Sequence, residues 1–111
     1  MKDGSFKDFV SDQLRGLGSV DCRAMFGGYG LYYEKTANAL FFGIIFKGRL
    51  YFKTDSRTTP GYIQRGMKPF TPGPRQTLKS FYEVPVEILE DSDELAAWAK
   101  EAIRVARKKS R

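Results

Sequence analysis

The stretch CRAMFGGYGLYYE, residues 22–34, sets two adjacent glycines and a third just beyond them between aromatic, strand-like runs. Three readings compete for it: a phosphate-cradling loop, a reactive thiol site, or a tight corner in a sheet. A phosphate loop feeds its glycines into a helix N-terminus, and a nucleotide-binding one adds a Lys-Ser/Thr pair; here a strand follows instead. The corner reading predicts positive φ at Gly27 and Gly28 in a hairpin turn, with Gly30 allowing a bulge or a close backbone approach beside the tyrosines. Ahead of the corner, Val20, Cys22, Ala24 and Phe26 alternate with Asp21, Arg23 and Met25, the period of a half-buried strand. Cys22 then points inward as a small buried hydrophobe, while Arg23 points to the other face, too far round to activate the thiol as a redox switch.

Working outward, YGLYYE, NALFFGIIFKG and RLYFKT continue as strands, joined by KTAN and by Lys47-Gly48, short links of the kind that connect antiparallel neighbours. Leu40, Phe42, Ile44 and Phe46 alternate with Phe41 and Ile45, so both faces of this third strand are apolar and it is expected to lie centrally, covered at least in part on both sides. Beyond it, SRTTPGYIQRG allows a short helix around Pro60 to Arg65, stopped by Gly66. KPFTPGPRQ is rich in proline and glycine and reads as a surface loop anchored by Phe70. TLKSFYEVP reads as a fifth strand closed by Pro85.

Helices are expected at both ends. Phe6, Phe9, Val10, Leu14 and Leu17 recur at helical spacing, with Ser5 as a candidate N-cap and Gly16 and Gly18 as the stop. Near the other end Asp91 and Glu94 stand at capping-box spacing, and Leu95, Trp98, Ala99, Ala102, Val105 and Ala106 form one apolar stripe. The pattern is that of an α+β protein in α-β-β-β-β-α-β-α order, an antiparallel sheet of about five strands in two layers with its terminal helices.

The chain has 111 residues, enough for one core, with no apolar run near the roughly 20 residues of a membrane helix. A cytoplasmic protein without membrane contact is expected. Cys22 is the sole cysteine, which excludes an internal disulfide and a Cys-rich zinc site. There is no histidine, which removes every Ser-His and Cys-His dyad and the commonest proton shuttle. Asp21, Glu34, Asp55 and Glu83 are scattered, and nothing marks two of them as a catalytic pair. The expectation is a protein that is not an enzyme and carries no metal or cofactor.

The net charge of +6 raises the question of a polyanionic partner. From Ser56 to Tyr82 the chain holds Arg57, Arg65, Lys68, Arg75 and Lys79 and no carboxylate, and the tail adds Arg104, Arg107, Lys108, Lys109 and Arg111. One reading is a solvated basic surface. The other is direct nucleic-acid binding, with those five cations on phosphates and Tyr62, Phe70 or Phe81 as stacking surfaces.

The run RAMFGGYGLYYE, followed by ALFFGIIFKGRLYFKTD, then GMKPF and SFYEVPVEILEDSDELAAWAKEAIRVA, resembles the TfoX/Sxy N-terminal domain family, bacterial proteins linked to natural competence. The resemblance spans nearly the whole chain. It implies an α+β domain with a mostly antiparallel sheet, loosely similar to secretion chaperones. It also implies a regulator of competence (DNA transformation) genes that acts through other proteins, and it brings no catalytic residues. Longer members carry a second, C-terminal domain resembling helix-hairpin-helix DNA-binding units; residues 1–111 are expected to form the N-terminal-like domain alone.

From the residues themselves, few helices are available to cover the second face of the sheet, which is expected to show Tyr32, Phe41, Ile45 and Tyr51, with Arg23, the glycine corner and Tyr29 shaping a surface beside the turn. Arg23, Tyr29, Tyr32, Phe41 and Tyr51 are the candidate partner-binding residues. The expected partner is a protein, such as transcription machinery or a regulator, or a second copy of the chain forming a homodimer. Burial of these side chains by the C-terminal helix or by the Phe70 loop is the competing reading.

Overall fold

The computed structural model describes residues 3–25, 27–34 and 39–109. Its elements run α1 (Asp3–Gln13), a 3-10 turn (Arg15–Leu17), β1 (Val20–Met25), β2 (Gly28–Tyr33), β3 (Leu40–Phe46), β4 (Arg49–Lys53), α2 (Thr59–Gln64), β5 (Pro69–Gly73), β6 (Gln76–Glu83), α3 (Val86–Leu89) and α4 (Ser92–Lys109). The strands form one antiparallel sheet in the order β1-β2-β3-β4-β6-β5. Phe26, the link at 35–38 and Arg111 lie outside the described residues.

The glycine corner is a hairpin. Met25 faces Gly28 at the end of the β1–β2 ladder, and Gly27 takes φ +80°. Gly28 departs from the expectation of positive φ and is glycine for a different reason: a Cβ there would stand 2.1 Å from the Ile45 carbonyl oxygen on β3. The next turn joins Phe46 to Arg49 through Lys47 at φ +50° and Gly48 at φ +73°, the paired positive angles of a two-residue hairpin whose twist matches its strands.

One face of the sheet carries α1 and α4. Val10 and Leu14 from α1, Leu31, Phe42 and Phe52 from the sheet, and Leu95 and Ala99 from α4 are all buried together. A fully buried side chain of Leu or Phe size contributes about 1.5–3 kcal/mol. α4 is capped as its sequence predicts, with Asp91 Oδ1 accepting the Asp93 and Glu94 backbone N–H groups at 3.1 and 3.2 Å. The expected stripe is the buried one, Trp98 being half-buried. α1 begins at Asp3, so Ser5 lies inside the helix and does not cap it.

Two differences from the sequence pattern matter for the second face. First, Leu31 pairs with Gly43 and Tyr32 with Phe41, which leaves Phe42 as an extra residue in β3. This is a β-bulge. Phe42 belongs to the helix-side core, and a Cβ on Gly43 would meet Leu31 and Phe52 of that same core, so the alternation slips by one beyond the bulge. Ile45 consequently lies in the helix-side core, fully buried, while Ile44 and Phe46 join Phe41 on the opposite face.

Second, the proline-rich segment is a sixth strand. Pro69 and Pro72 are tolerated because β5 is an edge strand. Pro69 faces Tyr82 but Phe70 faces Leu78, a register break between adjacent residues that bends the β5–β6 hairpin. The bend carries the fully buried Phe70 ring to 4.8 Å from Tyr51 on β4 and 5.4 Å from Phe46 on β3, although β6 intervenes between β5 and β4. The hairpin thus curls over one end of the helix-free face.

Candidate protein-interaction site

The curled hairpin divides the helix-free face in two. Under it, Ile44, Tyr51, Phe70 and Phe81 form a small closed core of their own. Tyr51 is only 8% exposed, and this desolvation pushes its phenol above the ordinary value, with Glu83 adding to the rise and Arg49 opposing it. Arg49 Nη1 donates to both carboxylate oxygens of Glu83, the residue that faces Tyr51 across the β4–β6 ladder, at 3.1 and 2.9 Å.

Beyond the hairpin the face opens into a ladder of cations and rings. Arg23 on β1 lays its guanidinium 4.3 Å from the centroid of Tyr32 on β2. The Tyr32 ring stacks on Phe41 of β3 at 5.1 Å and 24°, and Phe41 meets Phe81 of β6 at 5.2 Å. Lys53 of β4 closes the series with its ammonium 5.1 Å from Phe81 and 5.9 Å from Phe41. The side chains come from five neighbouring strands, because residues on one face recur at every second position and the register sets Tyr32 beside Phe41 and Lys53 beside Phe81. Gly30 gives the rings room: a Cβ there would meet Met25 Sδ at 2.5 Å, Tyr32 at 3.0 Å and Phe41 at 3.2 Å.

Arg23 is held in place by two carboxylates. Its Nε donates to Asp21 Oδ2 at 3.1 Å and its Nη2 donates to Glu34. The hydrogen bond to Asp21, then that to Glu34, raises its pKa above the ordinary arginine value, so the charge is permanent. The side chain stays exposed all the same. Tyr32 and Phe41 are half-buried, so a flat aromatic surface with an ion pair at its edge faces outward.

Of the five candidate partner-binding residues, the structure brings Arg23, Tyr32 and Phe41 into one contiguous strip. Tyr51 shares their face but is buried under Phe70. Tyr29 lies on the other face, packed against the helix-side core with Lys7 5.4 Å from its ring centroid, because it is an odd number of residues from Tyr32 within β2. Lys53 was not singled out in the sequence, although its place two residues after Tyr51 marked it for the same face. The Asp21-x-Arg23 spacing likewise signalled an ion pair on one side of a strand.

The five candidate nucleic-acid-binding cations spread over separate parts of the fold. Arg57 lies in the turn before α2, Arg65 just after α2, Lys68 before β5, Arg75 between β5 and β6, and Lys79 within β6, all of them exposed. Carboxylates absent from this stretch of sequence stand beside it in space. Arg65 pairs with Glu87 at 3.6 Å and lies 5.2 Å over Trp98. Asp55 Oδ1 accepts the Arg57 and Thr58 N–H groups at 3.0 and 3.1 Å; desolvation works to raise its pKa, but these N–H groups and Arg104 together hold it below the ordinary value. Tyr62, Phe70 and Phe81, considered as stacking surfaces, are buried at 4%, 0% and 4% exposure.

Cys22 is half-buried against the helix-side core, its Sγ 3.4 Å from Ser11 Oγ, while Arg23 is engaged on the opposite face. A cleft of about 340 Å³ opens between α2 and α4, lined among others by Tyr62, Trp98, Thr58 and Glu101. Tyr62 meets Trp98 edge-on there at 4.8 Å. Among the described residues no group of His, Cys, Asp or Glu side chains is arranged to hold a metal ion, and no helix is long and apolar enough to cross a membrane.

The fold and this face define a small α+β domain whose antiparallel sheet is sheathed by helices on one side and half open on the other. The chain belongs to the TfoX N-terminal domain family, whose model matches residues 12–106. None of the curated proteins matches it.

Proposed function

We propose that this protein is a non-enzymatic regulatory module that contacts another protein through the open half of its sheet, in the regulation of competence genes that its family suggests. The observation carrying this reading is the ladder of Arg23, Tyr32, Phe41 and Lys53 on the helix-free face, backed by the buried Phe81 ring. Tyr, Phe and Arg are the residue types enriched where proteins meet, since each combines a large contact area with few torsions or a directional charge. A rigid stack held in register by five strands offers that area with little further loss of side-chain freedom on binding. The ion pairs at its edge supply a polar rim. The pairing of Glu87 with Arg65 and the spread of the five cations over separate parts of the fold favour a protein over a nucleic acid as the partner.

The test compares wild type with Phe41→Ser by affinity capture from the native cell and mass spectrometry of the captured proteins, after circular dichroism shows that the variant is folded. A protein captured by wild type and depleted at least tenfold with the variant is the expected result. Equal capture by both removes the ladder from the reading. In parallel, steeply salt-dependent binding of labelled duplex or single-stranded DNA would transfer the function to the basic stretch.

A further inference from the structure

β1 is an end strand of the sheet, and its outer side has the features of a self-pairing edge. The Glu34 N–H donates to the Ser19 carbonyl at 2.8 Å, which makes Ser19 and Glu34 a hydrogen-bonded pair of the β1–β2 ladder. Hydrogen-bonded pairs recur at every second residue, so Asp21, Arg23 and Met25 direct their backbone groups inward to β2. The N–H and C=O groups of Val20, Cys22 and Ala24 therefore point out of the sheet. β1 contains no proline, no bulge interrupts its register with β2, and Ala24 is exposed.

We infer that β1 pairs antiparallel with β1 of a second copy about a two-fold axis at Cys22, joining two six-stranded sheets into one. Three outward-facing residues then meet in hydrogen-bonded pairs: Val20 with Ala24, Cys22 with Cys22 and Ala24 with Val20 of the other copy. Asp21 of each copy falls directly opposite Arg23 of the other, in the closer, non-hydrogen-bonded kind of pair. Charge selects this register. Sliding one copy by two residues in either direction sets Asp21 opposite Asp21 or Arg23 opposite Arg23, and like charges directly opposite are unfavourable. The two ladders, each ending at its own Arg23, then run on from one copy to the next across the axis. One short strand pair lies at the low end of interface sizes, so the association is reversible and concentration-dependent.

Sedimentation equilibrium of the full chain over a concentration series tests this. The weight-average mass is expected to rise from the 12.6 kDa of one chain toward twice that value. Ala24→Pro removes an outward N–H that no neighbour within the sheet uses, and should hold the protein at the mass of one chain with its circular dichroism unchanged. Asp21→Arg and Arg23→Asp should each weaken pairing at least tenfold, and an equimolar mixture of the two should recover it, since the mixed pair restores opposite charges at both positions. A wild type that stays at 12.6 kDa throughout, a dimer that survives Ala24→Pro, or a mixture that pairs no better than its components would each overturn the inference. The open ladder would remain available to a protein partner in any of those cases.

Discussion

At the scale of single residues, the sheet is decided by what cannot fit. Gly28 sits against the backbone of β3, where a Cβ would press on the Ile45 carbonyl oxygen, and a backbone oxygen cannot swing aside as a side chain can. Gly27 has open space around it and only an unfavourable φ to excuse its lack of a side chain. Gly28→Ala should therefore cost about 3 kcal/mol of unfolding free energy, against about 1 kcal/mol for Gly27→Ala, measured by urea denaturation. The sequence shows two glycines in a row, but two different causes lie behind the same letter. Tyr62 makes a second residue-scale prediction. Burial raises its phenol pKa well above the 10.0 of a free tyrosine. Above about pH 10 the unfolded chain releases this proton while the folded chain keeps it, so stability is full below that pH and falls as the pH climbs toward the raised value. Thermal unfolding followed from pH 9 to 11 should show a smaller alkaline loss in Tyr62→Phe than in wild type.

At the scale of elements, the regular pieces were legible and the irregular ones were not. α4 announces itself through Asp91 and Glu94 at its start and the Leu95–Ala99–Ala102–Ala106 stripe behind them, because capping and periodicity are local properties. Asp91→Ala should remove the side-chain acceptor for two N–H groups and cost about 1 kcal/mol, read as a lowered urea midpoint with an unchanged slope. β3 is different. Its sequence alternates without interruption, yet the bulge at Phe42 shifts Ile44 and Ile45 to the faces opposite those their spacing indicates. A bulge is a property of the pairing between two strands, so one strand's pattern does not disclose it. β5 was hidden by its prolines, which exclude a central strand but not an edge strand. The reach of Phe70 over Tyr51, and hence which half of the second face is closed, depends on that edge strand and is not written in the segment's own pattern.

Across the whole molecule, an asymmetric covering of the sheet leaves one surface open. Helices α1 and α4 cover one side completely enough to fix the strand register, and the β5–β6 hairpin covers part of the other. What is left over is the ladder from Arg23 to Lys53: Arg23, Tyr32 and Phe41 are partner-binding candidates from the sequence, while Phe81 and Lys53 are joined to them only by the register. The basic excess of the chain reads differently in three dimensions from how it reads along the sequence, because Arg57, Arg65, Lys68, Arg75 and Lys79 lie on separate parts of the fold and Glu87 pairs with Arg65. Contact through the open half of the sheet is the central claim, and position-specific photocrosslinking tests it most directly. A benzophenone side chain introduced at position 32, on the ladder, is compared in the native cell with one at position 63, where Ile63 is exposed on α2. The account predicts a discrete protein adduct from position 32 and none of that mass from position 63. An adduct from position 63 with nothing from position 32 would contradict it.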